Sequence, residues 1–319
     1  MPKVSVIVPI YGVEKYIERC ARSLFEQSLD DVEYIFVNDC TKDNSMIILQ
    51  QVILEYPKRK SQVKIICHDN NKGLPTARQT GVLVATGEYI AHCDSDDWVN
   101  PDMYRAMYEK AKENNYDVVV CDYTKTDDIK FHQNLIGCHD EDIEQFCRNC
   151  LKNIDSWAVW NKLCKRSLFY GIMFPVDAMG EDMVITIQLL LKSRSFAYVS
   201  EPFYNYYINP NSITKQTKTI EKCLENYNQL KRNTDIIVDV IMQNTYYPQI
   251  MSDINCLKYN VMVMLLPVVG SKKYYDIWKS TYKNFTKDFL LDRNVPVAYK
   301  VKYLLTLYHL YPQSKNRLL

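Results

Sequence analysis

Three carboxylates stand within four positions at Asp94-Ser95-Asp96-Asp97, directly after the apolar run Tyr89-Ile90-Ala91-His92-Cys93. Buried strands seldom end this way, because crowded like charges resist ionising together. A bound cation removes that penalty, and hard divalent ions such as Mg2+ or Mn2+ prefer carboxylate oxygens. Asp94 and Asp96 therefore read as metal ligands facing a phosphate-bearing substrate, with a solvated acidic loop as the plain alternative. A second pair, Glu181-Asp182, opens the apolar-periodic stretch Met183–Lys192. A carboxylate there either caps a helix and answers its dipole or acts as a general base in a cleft.

These residues need elements to position them. Val4–Val8, Tyr34–Val37, Val63–Cys67 and Tyr89–Cys93 read as strands, with Pro9 ending the first. Between them lie helical patterns: Ile17 to Gln27, a stretch from an Asp43 cap to Tyr56, and one carrying Ala77, Gly81 and Val84. This alternation predicts right-handed βαβ units and a mostly parallel central sheet flanked by helices. Ligands of such sheets bind beyond the carboxyl ends of the strands, where Pro9-Tyr11, Asp39 and Asp94-Asp96 would converge. A helix from Pro101 to Asn114 and a strand from Asp117 to Tyr123 follow, with Asp97 read as a cap before Pro101. Lys125–Asp142 reads as an irregular loop, Tyr204–Tyr207 as an aromatic strand and Asn209–Thr214 as a polar turn. From Ile220 onward the pattern is helical.

Composition narrows the classes. The 319 residues are 47% hydrophobic and 24% charged with net charge +1, so nothing global calls for nucleic acid. Charge is uneven, however. Ser271–Leu319 holds ten Lys or Arg against three Asp, which is +7 and leaves −6 for the rest. Eleven scattered cysteines, Cys147-x-x-Cys150 among them, read as reduced core residues of a cytoplasmic protein. No signal peptide is expected before Val4, and the apolar stretch Val261–Val269 is too short to span a bilayer. The basic, aromatic C-terminal part could lie on the inner face of a membrane or cap the main domain. Neither a Gly-x-Gly-x-x-Gly nor a P-loop is present, so diphosphates would be held by a metal on Asp96 and a cation such as Arg78.

The ordered set Val8-Pro9-Ile10-Tyr11, Val37–Ser45, Asn71–Arg78, Asp94–Trp98, Trp160-Asn161-Lys162-Leu163 and Glu181-Asp182 resembles the family 2 glycosyltransferases. The resemblance covers about the first 215 residues. It implies a GT-A fold over 1–215 with a helical C-terminal region over 216–319. It also implies a nucleotide-diphospho-sugar donor, UDP-linked by family habit, a Mg2+ or Mn2+ ion, and inverting transfer. Pro9, Tyr11, Asp39, Arg78, Asp94, Ser95 and Asp96 would hold the donor, and Asp96 and Asp94 the metal. Asp182 would be the base, with Glu181, Trp160 and Lys162 serving the acceptor or supporting the site. Cys40 stands where the family has glycine, implying a modified loop. Tyr206-Tyr207-Ile208-Asn209 lacks the arginine of the family's Tyr-Tyr-Arg segment.

The expected activity is sugar transfer to a glycan or lipid-linked glycan, as in surface polysaccharide synthesis. A sugar-nucleotide pyrophosphorylase is the alternative enzyme, but the Gly-rich, lysine-bearing loop it needs after the first strand is missing. A catalytically silent nucleotide-sugar-binding protein is the non-enzymatic alternative.

Overall fold

A computed structural model describes residues 1–127, 129, 131–140, 142–209, 219–243, 250 and 253–310. Strands β1 (Val4–Ile10), β2 (Val32–Asn38), β3 (Val63–Cys67) and β4 (Tyr89–His92) alternate with α1 (Ile17–Phe25), α2 (Ser45–Glu55) and α3 (Leu74–Val84). β1 and β2 are buried on both faces, which is why they read as continuous apolar runs. These four strands are parallel, as expected, in the order β3-β2-β1-β4. The chain moves outward from β1 to β3 and then crosses back to place β4 on the other side of β1. The gap between the ends of β1 and β4 is therefore a topological switch point, where open α/β sheets bind ligands.

Pro9 does not end β1. It pairs in register with Val37 inside the strand. The β1–β4 pairing stops at Ile7 and His92, followed only by the bond from Cys93 N–H to the Ile7 carbonyl. Pro9 faces the same side as Ile7, so its missing N–H falls where β4 has already left the sheet.

The second half is mixed rather than parallel. After β5 (Trp98–Val99) and α4 (Met103–Glu113) come β6 (Val118–Thr126), β7 (His132–Leu135), α5 (Ile143–Leu151), β8 (Lys162–Lys165), α6 (Glu181–Lys192) and β9 (Phe196–Tyr207). β8 inserts antiparallel between β4 and β6, β9 pairs parallel to β6, and β5 closes the row antiparallel to β9. β7 forms within the segment expected to be irregular. Its His132, Gln133 and Asn134 are exposed on a sheet edge, so no apolar alternation announced it.

Helices α7 (Ile220–Gln243), α8 (Ile254–Val263), α9 (Lys272–Ser280), α10 (Phe285–Leu291) and α11 (Val297–Leu307) follow. Most of the aromatics of this part are packing residues, although Tyr308 is exposed. Trp278, Phe289 and Tyr303 are fully buried, with Trp278–Tyr303 ring centroids 5.1 Å apart and Phe285–Phe289 centroids 4.8 Å apart. They share one hydrophobic cluster with α5, α6 and one face of the sheet. No helix among the described residues is long and apolar enough to cross a membrane. All eleven cysteines are free thiols, and Cys147 and Cys150 are buried. Of the expected polar turn, residues 210–214 lie outside the described residues, as does the proposed boundary at 215.

Candidate active site

The loop after β1 is tied to the loop after β2. Gly12, Val13 and Glu14 N–H groups donate to Thr41 Oγ1, Ser45 Oγ and Asp43 Oδ2 at 2.9, 3.1 and 2.9 Å. Asp43 thus serves the loop, and Asn44 takes the N-cap position of α2. Cys40, standing where glycine was expected, has φ 57°. The left-handed backbone is kept, and the thiol-bearing residue adopts the strained conformation in glycine's place.

Asp39, at the end of β2, is 3% exposed. Its Oδ1 meets His68 Nδ1 at 2.7 Å and accepts from Lys72 N–H at 2.8 Å, while Oδ2 accepts from Gly73 N–H at 2.8 Å. His68 Nε2 in turn meets Thr80 Oγ1 at 2.9 Å. The carboxylate therefore fixes the turn that launches α3 from Gly73, whose φ is 85°. Pro9 is buried beside this loop, and Tyr11 is 54% exposed at its mouth.

Helix α3 delivers Arg78, which is 1% exposed. Its Nε donates to Glu181 Oε1 at 2.9 Å, and its Nη2 donates to Asp94 Oδ1 at 2.8 Å and to Asp182 Oδ1 at 3.4 Å. Burial works against the arginine's charge, but the three carboxylates more than offset it and keep it protonated. Arg78 is thus not presented to a diphosphate. It is drawn inward because Glu181 would otherwise be a buried, unpaired carboxylate.

Glu181 and Asp182 occupy the first turn of α6, behind the left-handed N-cap Gly180 at φ 80°. Neither caps the helix through its side chain. Adjacent on one turn, they face different media: Glu181 is 3% exposed at its side chain and Asp182 is 24% exposed. Burial, with Asp182 adding to it, pushes the Glu181 carboxyl well above the usual range while Arg78 pulls it down. Glu181 is consequently an internal anchor rather than an acceptor contact.

The Asp94–Asp97 turn divides its carboxylates. Asp94 and Asp96 are half-buried, whereas Ser95 and Asp97 are buried. Burial pushes Asp94 up to about 6, against Arg78 and with help from Asp182 and Asp96. Asp96 Oδ2 accepts from Asn209 Nδ2 at 2.8 Å. Asp97 is not a helix cap; Asp102 precedes α4. Its Oδ1 accepts from Tyr207 N–H and its Oδ2 from Tyr204 O–H, both at 2.7 Å. Tyr204 Oη also accepts from Asp94 N–H at 3.0 Å. Asp97 and Tyr204 thereby pin β9 against the acidic turn, a role that no local pattern in the sequence signals.

Trp160 and Lys162 lie beneath this turn. The Trp160 ring is stacked with Tyr204 and Tyr206 at 4.3 and 5.7 Å between centroids. Lys162 is 2% exposed, and its Nζ donates to the Ser156 and Ala158 carbonyls and to Asn161 Oδ1 at 2.7–2.9 Å. Both are buried residues that support the turn from below. Arg19 was not anticipated: its guanidinium lies 3.5 Å from the Trp98 ring centroid, with Nη2 3.4 Å from the Asp96 carbonyl.

Residues 5–180 match the family model described as glycosyl transferase family 2. The uncharacterized glycosyltransferase EpsJ of Bacillus subtilis (strain 168) is 34% identical over 225 residues, covering 67% of this chain and 64% of EpsJ. The poly(ribitol-phosphate) beta-glucosyltransferase of Bacillus spizizenii is 30% identical over 215 residues, covering 64% of this chain and 32% of that protein. The chain thus spans under two thirds of the length of these relatives. In fold it is similar to S. aureus TarS 1-349 in complex with UDP-GlcNAc, with TM-score 0.71, 18% identity and coverage of 95% of this chain and 85% of that one. A match over more than half the chain, carrying the Asp94–Asp97 motif and the parallel strands that lead to it, leaves one assignment: the chain belongs to glycosyl transferase family 2.

Proposed function

We propose that this chain is an inverting glycosyltransferase that moves a sugar from a nucleotide-diphospho-sugar to a hydroxyl of a glycan or lipid-linked glycan. The observation that carries the reading is the partly exposed Asp182 carboxylate, bound to the same Arg78 nitrogen as Asp94. A base and a donor-side carboxylate thus border one cleft at the sheet's switch point. The UDP-GlcNAc bound to TarS supports a UDP-linked donor. The similarity to a poly(ribitol-phosphate) beta-glucosyltransferase supports a polymer acceptor.

Asp94 and Asp96 would hold Mg2+ or Mn2+. Their chemistry fits a hard cation, since two partly exposed carboxylates stand two positions apart, and Asp182 and Asp96 add to the burial that pushes Asp94 up. No group of three or more His, Cys, Asp or Glu suited to a metal occurs among the described residues. Two protein ligands, with substrate oxygens completing the shell, suit a phosphate-bound ion. When bound, the metal would neutralise charge developing on the diphosphate leaving group. Asp182 takes the proton of the attacking hydroxyl on the opposite face of the sugar, a contribution typically of about 10²–10⁴-fold. Glu181, through Arg78, keeps Asp182 at the cleft. Pro9, Tyr11 and Ser95 border the donor; Asp39 acts mainly by shaping the loop before α3. We read residues 1–215 as the transferring unit and 216–319 as its helical extension at the cytoplasmic face of a membrane.

The test is a panel of UDP-, GDP- and dTDP-sugars with Mn2+ or Mg2+, followed by nucleoside diphosphate release and thermal shift. Metal-dependent release supports the reading. Pyrophosphate exchange would point to a pyrophosphorylase, and binding without release to a silent protein; failure of every donor to bind would overturn it.

A further inference from the structure

Helix α11 turns an apolar line outward. Its inner side is Tyr303, which belongs to the buried aromatic cluster, and Thr306. Its outer side carries Val297 and Val301, 75% and 48% exposed, with Tyr308 at the C-cap 67% exposed. Positions i, i+4 and i+11 fall on one helix face. On a helix facing only water this face would be charged. Leu291 at the end of α10 and Leu310 just after α11 are also exposed.

The setting of this line is basic. Ser271–Leu310 contains eight Lys or Arg against three Asp, a net +5, and α11 itself carries Lys300 and Lys302 with no acidic residue. The nine residues that continue the chain add Lys315 and Arg317 and no acid. Two copies meeting through this face would bring like charges together, which disfavours a self-association. An anionic lipid surface satisfies both features at once. Headgroups take the lysines, and the boundary between headgroups and acyl chains takes the valines.

We propose that the outer face of α11, centred on Val297, Val301 and Tyr308, docks on an anionic lipid surface. The buried Trp278, Phe285 and Phe289 take no part. The inference rests on the glycosyltransferase reading only for its purpose, which is to hold the cleft near a lipid-linked acceptor.

The test uses the full chain and vesicles of phosphatidylglycerol with phosphatidylcholine, against phosphatidylcholine alone. The protein should pellet with the anionic vesicles only and be released by salt, because the attraction is screened. The double variant Val297→Glu/Val301→Glu should lose at least about tenfold in vesicle binding. Its melting temperature and its donor hydrolysis in solution should be unchanged, since both side chains are exposed and outside the cleft. Absence of pelleting by the native chain, or unchanged pelleting of the variant, overturns the proposal. So does a concentration-dependent dimer that the variant abolishes, which would assign the face to a second copy. Loss of donor hydrolysis in the native chain would instead count against the enzymatic reading and leave the vesicle result standing.

Discussion

Arg78 and Glu181 are 103 positions apart in the chain and form a buried ion pair, Nε to Oε1 at 2.9 Å. The pair clamps α3 to the first turn of α6. It therefore decides where the next residue, Asp182, emerges. Stranding a buried charge outright typically costs about 3–5 kcal/mol, but Asp94 and Asp182 still hold Arg78 when Glu181 is removed. Glu181→Ala should therefore lower stability by less than that, about 1–3 kcal/mol in urea unfolding, and Glu181→Gln, which keeps a hydrogen-bond acceptor, by less again. A loss under about 1 kcal/mol for the alanine variant would show that the pair is not the clamp described.

Asp182→Asn should lower sugar transfer by about 10²–10⁴-fold or more. Thermal stabilisation by the nucleotide with Mn2+ should be kept. Asp96→Asn should lose both transfer and the metal-dependent part of that stabilisation. Wild-type turnover by Asp182→Asn would remove Asp182 as base.

Tyr204 links Asp94 N–H to the buried Asp97 carboxylate. Tyr204→Phe leaves two buried polar groups without this partner, at about 1–3 kcal/mol each. Stability should fall, and nucleotide affinity should weaken because the turn is no longer pinned. Isothermal titration with a nucleoside diphosphate and Mn2+ separates the two effects from a purely global loss.

Cys40 holds a left-handed backbone at φ 57°. That conformation costs an L-residue about 1–2 kcal/mol, partly offset by the greater unfolded-state entropy of glycine, about 0.5–1 kcal/mol. Cys40→Gly should therefore be neutral to stabilising by up to about 1 kcal/mol. A clear drop in melting temperature would mean that the Cys40 thiol, 3.6 Å from the Asp69 carbonyl, contributes more than its backbone costs.

Glu33 gives the acid dependence. Burial would raise its carboxyl, but Lys64, Ser5 and Thr86 bond to it and hold it below its ordinary value of 4.5. A depressed folded-state value means the unfolded chain binds more protons as pH falls. Its stabilisation is present above about pH 4.5 and fades as pH drops through the folded value. Glu33→Gln should be less stable at pH 7 and should show a shallower loss of stability below pH 4.5. Equal acid slopes for the two proteins would contradict this.

Much was legible in the residues themselves. The βαβ alternation through β4, the acidic turn after it and the Glu181-Asp182 pair are local in sequence, because strand and helix periods and charge clusters need no partner to be seen. What lay beyond the sequence depended on pairing between distant segments. β8 hides Lys162 inside the sheet, β7 is polar on an edge, and the mixed second half follows from how these strands slot beside β4 and β6. Arg78 looked like a free cation for a diphosphate until burial matched it to three carboxylates. The two neighbours Glu181 and Asp182 are alike in chemistry, and only tertiary packing made one an internal anchor and left the other partly exposed. The sequence by itself supplied the groups. Burial, which sets the cost of each charge, decided what each group is free to do.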